Sequence, residues 1–131
     1  MKDATGDLAH AADVFNRVGD RLSLLSGDDF TTVAHVAAGG VGCISVASNL
    51  IPQRMVAMVA AARAGEVDFA RADNAALQPL FQALFLQSNP LPIKAAMSRA
   101  ALLTEEYRLP LCSMDSEPRA EVFRILEEMG L

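Results

Sequence analysis

Lys2 sits in the run Met1-Lys2-Asp3-Ala4-Thr5-Gly6-Asp7 and offers a nucleophilic amine. Such an amine adds to a ketone carbon and expels water, leaving an iminium. The positive charge acidifies the neighbouring carbon, so an enamine can form. The attack needs the neutral amine, which an apolar site favours over the ammonium. Taken alone, a lysine at position 2 reads as a solvated terminal residue. Two further segments give it context. In Ser26-Gly27-Asp28-Asp29, Gly27 would let the backbone approach a ligand closely, while Asp28 and Asp29 also suit a plain helix N-cap. In Gly42-Cys43-Ile44-Ser45-Val46, Ile44 offers a backbone carbonyl, or is simply a core residue.

Other reactive types carry less. His10 and His35 fall on predicted helices with no partner at metal-ligand spacing. Cys43 reads as an inert strand cysteine, and its distance from Cys112 argues against a disulfide framework. Glu105-Glu106 and Glu127-Glu128 read as solvated helix edges. No phosphate loop, catalytic carboxylate pair or Ser/His/Asp arrangement can be assembled, and no metal or cofactor is expected.

The elements that must position Lys2, Gly27 and Ile44 follow from capping and periodicity. Asp7 predicts the start of a helix with Leu8, Ala11, Phe15 and Val18 inward, stopped by Gly19. Leu22-Ser23-Leu24-Leu25 predicts a short buried strand. Asp28 or Asp29 then caps a helix burying Phe30, Val33, Ala34 and Ala37. Gly42 to Ala47 predicts a second strand, and Pro52 opens a helix burying Met55, Met58, Val59 and Ala62 and ending at Gly65.

This is the pattern of parallel βα units, and two strands are too few for a stable parallel sheet. Beyond Gly65 come helices alone: a run over 66–86 that Pro79 kinks or divides, a break at Asn89-Pro90-Leu91-Pro92, and a helix over 93–102. An extended Leu109-Pro110-Leu111 and a last helix near 117–129 follow. The division is therefore 1–64, βα units, and 65–131, a helical region.

Composition narrows the class. Hydrophobic residues make up 52% of 131, much of it alanine, and no apolar run approaches the roughly 20 residues that cross a bilayer. A net charge of −5 with scattered lysines and arginines argues against a nucleic-acid partner. No membrane association is expected, and a cytoplasmic protein with reduced thiols is.

Together the segments resemble the dihydrodipicolinate synthase branch of the class I pyruvate-aldolase family, the N-acetylneuraminate lyase superfamily. Lys2-Asp3-Ala4-Thr5-Gly6-Asp7 is similar to the end of the family's sixth barrel strand. Leu24-Leu25-Ser26-Gly27-Asp28-Asp29 is similar to the end of the seventh, and Gly42 to Asn49 to the eighth and its loop. Asn89-Pro90-Leu91-Pro92-Ile93-Lys94 and Arg108-Leu109-Pro110-Leu111 match runs in the family's C-terminal helical region.

The resemblance implies the C-terminal part of a (β/α)8 barrel, about strands seven and eight with their helices, followed by a helical region and mostly helical as a fragment. It implies Lys2 as the Schiff-base lysine, and Gly27 and Ile44 lining a pyruvate pocket with backbone roles. The implied reaction condenses pyruvate with an aldehyde, aspartate semialdehyde in this branch and a sugar-acid precursor in others, within a homo-oligomer. The family's tyrosine, threonine pair and carboxylate-binding arginine belong to earlier strands. A truncated, inactive chain is therefore expected, with Lys2 lacking a rigid element behind it. The alternatives are a non-catalytic module that self-associates or docks on another chain, and a fragment of a related N-acetylneuraminate lyase or 2-keto-3-deoxy sugar-acid aldolase.

Overall fold

The computed structural model describes residues 1–131. Its sheet has three strands: β1 (Lys2–Asp3), β2 (Leu25–Ser26) and β3 (Gly42–Cys43), all parallel, in the order β1-β2-β3. The expectation of two strands is corrected here. The Leu25 and Gly27 amides donate to the Met1 and Asp3 carbonyls at 2.8 and 2.6 Å, so Lys2 itself lies in a hydrogen-bonded strand. The β2 pairing also sits later than the Leu22–Leu25 run, since Leu22 is exposed and Leu24 is 1% exposed ahead of the ladder. The β3 pairing stops at Cys43, short of the Ala47 end expected for the strand, and Ala47–Asn49 forms a 3-10 turn.

Helix α1 (Leu8–Val18) starts where Asp7 Oδ1 accepts the Ala9 and His10 amides at 2.8 and 3.1 Å. It ends at Gly19, φ 52°, as the capping pattern predicts. Helix α2 (Thr32–Ala37) buries Thr32, Val33, His35 and Val36, whereas Ala34 and Ala37, expected inward, are exposed. Helix α3 (Pro52–Ala64) has Pro52 in its first turn, buries Met55, Met58 and Ala61, and stops at a left-handed Gly65. Helix α4 (Val67–Ala83) runs through Pro79 unbroken, so the proline does not divide it. The Arg54 guanidinium bonds Asp73 at 2.7 Å and ties α3 to the first half of α4.

The chain forms two compact units, Met1–Ala76 and Leu77–Leu131; this division falls inside α4, later than the change of pattern at 64/65. The first holds the sheet with α1 to α3. The second holds α5 (Leu91–Arg99) packed on α6 (Ser116–Glu128), with Val122 and Leu126 buried. Between them, Leu109-Pro110 forms a turn closed by the Leu111 amide on the Arg108 carbonyl at 3.0 Å, which corrects the extended reading. Glu105 is also no helix edge: it accepts from Arg119 and, at 2.9 Å, from the Tyr107 hydroxyl. Helices account for 57% of the residues, so the chain is mostly helical. No helix is long and apolar enough to cross a membrane.

Candidate active site

Side chains alternate along a strand, so the register assigns faces. Lys2 pairs with Leu25 and Leu25 with Gly42; one step on, Asp3 pairs with Ser26 and Ser26 with Cys43. The second row is the more buried: Asp3 is 7% and Ser26 1% exposed, and Cys43 is half-buried. The first row carries Lys2, which is exposed. The ladder continues past each strand through the Gly27 amide on Asp3 and the Ile44 amide on Ser26, at 2.6 and 2.7 Å. Alternation therefore carries Gly27 and Ile44 to the Lys2 side, all three at the C-terminal ends of adjacent parallel strands.

The contact between Lys2 and Gly27 is direct. A Cβ on Gly27 would stand 2.4 Å from Lys2 Cε, 2.9 Å from Lys2 Cγ and 2.8 Å from Ala4 Cβ. The lysine stem lies across the glycine, and only a residue without a side chain leaves room for it. Ile44 is 48% exposed, which corrects its alternative reading as a core residue.

The motifs around these residues are turn chemistry. Asp3 Oδ1 accepts the Thr5 amide and hydroxyl at 3.0 and 2.7 Å, and Thr5 Oγ1 accepts the Asp7 amide at 3.2 Å. Those bonds hold the Asp3 carboxyl below the usual carboxylate range, the Thr5 amide contributing most. Gly6, at φ +67°, makes the turn into α1. After β2, the Ser26 hydroxyl donates to the Asp28 carbonyl at 2.8 Å, and Asp28 Oδ2 accepts the Thr31 amide and hydroxyl at 3.0 and 2.7 Å.

Asp28 thus prepares the start of α2, whereas Asp29 caps nothing on its own helix. Asp29 is 1% exposed and accepts the Val46 and Ala47 amides, at 3.1 and 2.9 Å, in the turn after β3. Its place beside Asp28 in a capping pattern hid this longer reach. Burial pushes the Cys43 thiol up, with the Asp29 charge adding to it, so the thiol stays protonated.

His10 is exposed on α1, whereas His35 is 3% exposed on α2, which packs against β2 and β3. No group of three or more His, Cys, Asp or Glu side chains is placed to hold a metal ion. A groove of about 440 Å³ runs beside β3, lined by Leu25, Cys43, Met55, Val56 and Arg63 among others. Lys2, Gly27 and Ile44 are not among its lining residues, although Leu25 and Gly42, which share a row with Lys2, are.

Comparison with known proteins follows the same residues. The model of the dihydrodipicolinate synthetase family matches residues 1–129. The 4-hydroxy-tetrahydrodipicolinate synthase of Thermodesulfovibrio yellowstonii is 37% identical over 131 residues, all of this chain and 45% of its own. That of Alcanivorax borkumensis is 41% identical over the same span, again 45% of its length. Among solved structures, dihydrodipicolinate synthase from Aquifex aeolicus superposes with a TM-score of 0.96 at 34% identity, covering 99% of this chain and 44% of that one. The chloride-inhibited, pyruvate-complexed enzyme from Acinetobacter baumannii gives 0.95 at 32%, covering 98% and 44%. These solved relatives are TIM-barrel enzymes, and the chain spans a little under half the length of the relatives it matches. On a match that takes in both units and every motif around Lys2, the chain belongs to the dihydrodipicolinate synthetase family.

Proposed function

We propose that these 131 residues are the lysine-bearing portion of a class I, Schiff-base-forming pyruvate lyase, most like the synthase that condenses pyruvate with aspartate semialdehyde in lysine biosynthesis. The observation that carries the reading is the Lys2 stem lying across Gly27 at the mouth of three parallel strands, where a barrel enzyme builds its site. In this reading β1, β2 and β3 are the ends of barrel strands six, seven and eight, residues 1–64 are βα units and 65–131 a helical region. The compartment is the cytoplasm and the parent assembly a homo-oligomer.

Lys2 Nζ adds to the pyruvate carbonyl carbon, and loss of water gives the iminium. A methyl proton then leaves, and the enamine attacks the aldehyde; hydrolysis of the product iminium returns the amine. Gly27 leaves space for the lysine and the ligand, and the Ile44 carbonyl faces the bound acid. The 131 residues alone do not turn over. Their one tyrosine, Tyr107, has its hydroxyl engaged by Glu105 and the Leu91 carbonyl, and its proton affinity is pushed up to about 12, burial first among the causes.

The test is borohydride trapping with pyruvate, read by peptide mass spectrometry, with Lys94, the chain's other lysine, as internal reference. In the 131-residue chain, labelling of Lys2 is expected to be no faster than that of Lys94. Rapid stoichiometric labelling of Lys2 would overturn the claim of inactivity. In a chimera where this chain replaces the matching 44% of the Aquifex aeolicus enzyme, Lys2 is expected to label selectively, and Gly27→Ala to slow labelling about tenfold or more by displacing the lysine stem. A folded chimera whose Lys2 stays unlabelled would refute the Schiff-base role.

A second reading, a module that associates through its sheet, is favoured by the two outer strands. β1 and β3 each pair on one side only, both with β2.

A further inference from the structure

Taking a carboxylate out of water costs free energy unless donors replace the water. Asp29, 1% exposed, finds its donors in the Val46 and Ala47 amides, 17 and 18 residues along the chain, at 3.1 and 2.9 Å. Both bonds go to Oδ2, while Oδ1 is buried with no hydrogen-bond partner. Serving its own helix would have been cheaper, and Asp28 already does so by accepting from Thr31. What Asp29 does instead is bridge two loops.

Gly27 precedes Asp29 by two residues, and Ile44 precedes Val46 by two. The orientation of the Ile44 carbonyl is set by the backbone on either side of it. On one side the Ile44 amide is held by the Ser26 carbonyl at 2.7 Å. On the other the Val46 amide is held by Asp29. The turn that follows is otherwise held only within itself, by Ser48 on Ser45 at 2.9 and 3.0 Å and by Asn49 on Val46 at 3.0 Å, so cutting the second anchor lets the carbonyl shift with that turn relative to the Gly27 loop. A displacement of about 1 Å in a ligand-facing group is enough to lose most of its value in positioning.

We propose that Asp29 is a positioning residue that locks the Gly27 and Ile44 loops in register and so fixes the direction of the Ile44 carbonyl. The proposal rests on the reading of Gly27 and Ile44 as pyruvate-lining positions, and its test separates the two.

Backbone amide exchange followed by NMR on the 131-residue chain reads the lock without any ligand. In the unsubstituted protein the Val46 and Ala47 amides are expected to be protected, with scalar coupling across the hydrogen bonds to the Asp29 carboxyl carbon. That coupling needs no variant and stands even where a substitution prevents folding. Missing protection or missing coupling overturns the proposal. In Asp29→Asn, exchange at Val46 and Ala47 is expected to speed up about tenfold or more, with Ile44 following. Asp7→Ala, which loses the α1 cap in the same unit, should leave all three unchanged. Acceleration confined to Val46 and Ala47, or shared equally by Asp7→Ala, would show a merely local or global effect and overturn the lock. Pyruvate is then titrated against borohydride trapping at Lys2 in the Aquifex aeolicus chimera, and Asp29→Asn is expected to raise the half-saturating concentration. Intact coupling with no response to pyruvate supports the lock and counts against the pyruvate reading. A pyruvate response that Asp29→Asn leaves unchanged does the reverse.

Discussion

At the scale of single residues, His35 shows how a buried polar side chain constrains its neighbours. It is 3% exposed on α2, its ring centroid lies 5.3 Å from that of Phe15, and neither ring nitrogen has a hydrogen-bond partner. Gly40 closes over it: a Cβ there would stand 2.3 Å from His35 Nδ1. Burial pulls the imidazole below its ordinary value of 6.5, and the nearby Asp3 charge only partly opposes this. The folded protein therefore binds the proton less readily than the unfolded chain. The stability that neutral His35 permits is fully present above 6.5 and is lost as pH falls from there through the folded value. Urea midpoints of the unsubstituted protein should fall between about pH 7 and about pH 5, and His35→Leu should flatten that slope. An unchanged slope in the variant would mean that other groups set the acid sensitivity. The Asp3 carboxyl, held low by Thr5, contributes only in a more acidic window, below its ordinary 3.8.

At the scale of elements, the segment between α5 and α6 has no regular structure and depends on side chains. Tyr107 donates to the Leu91 carbonyl at 3.2 Å and to Glu105, Lys94 stacks over its ring at 5.1 Å, and Arg119 on α6 bonds Glu105. The Glu105 side chain is 13% exposed, so losing Arg119 leaves a largely desolvated carboxylate short of a donor. Arg119→Met is expected to cost about 1–2 kcal/mol in chemical denaturation, discounted for the solvent that still reaches the pair. Arg124→Met, which removes the exposed pairs with Glu121 and Glu128, should leave the midpoint essentially where it was. Equal losses in both variants would refute the distinction.

This tie was invisible in the sequence, where Glu105-Glu106 resembles any acidic surface pair. What could be read were features with local causes: the Asp7 cap, the Gly19 and Gly65 stops and the Pro52 start. Two-residue strands show no alternation to read, so β1 is invisible to periodicity and legible only through the resemblance of its motif to a strand end. The buried face of α2 was misjudged because Thr32 and His35 lie inward while two alanines face out. Motif resemblance singled out Lys2, Gly27 and Ile44, which the strand register carries to one side of the sheet, whereas Asp29 was hidden because its partners lie 17 and 18 residues away.

At the scale of the whole molecule, a three-stranded parallel sheet with one open face is an unusual surface to present to water. Parallel sheets occur almost only with both faces covered, and unpaired edges invite pairing with other chains. Both outer strands here have a free edge, and the Lys2 side carries Ile44 at 48% exposure. Beside β3 the apolar groove is rimmed by Val56, itself 68% exposed. Burying such surface releases about 25 cal/mol per Å² of apolar area, so self-association is favoured as concentration rises. Sedimentation velocity across a concentration series should therefore show a rising weight-average coefficient. Val56→Glu tests the cause: the position is too exposed to matter for folding, yet a carboxylate there charges the groove beside β3. It should shift the association to higher concentration while leaving the urea midpoint of the dilute protein unchanged. A single monomeric species at every concentration would sink the idea. Association that ignores Val56→Glu would move its origin away from the β3 groove and towards the β1 edge or the open Lys2 face.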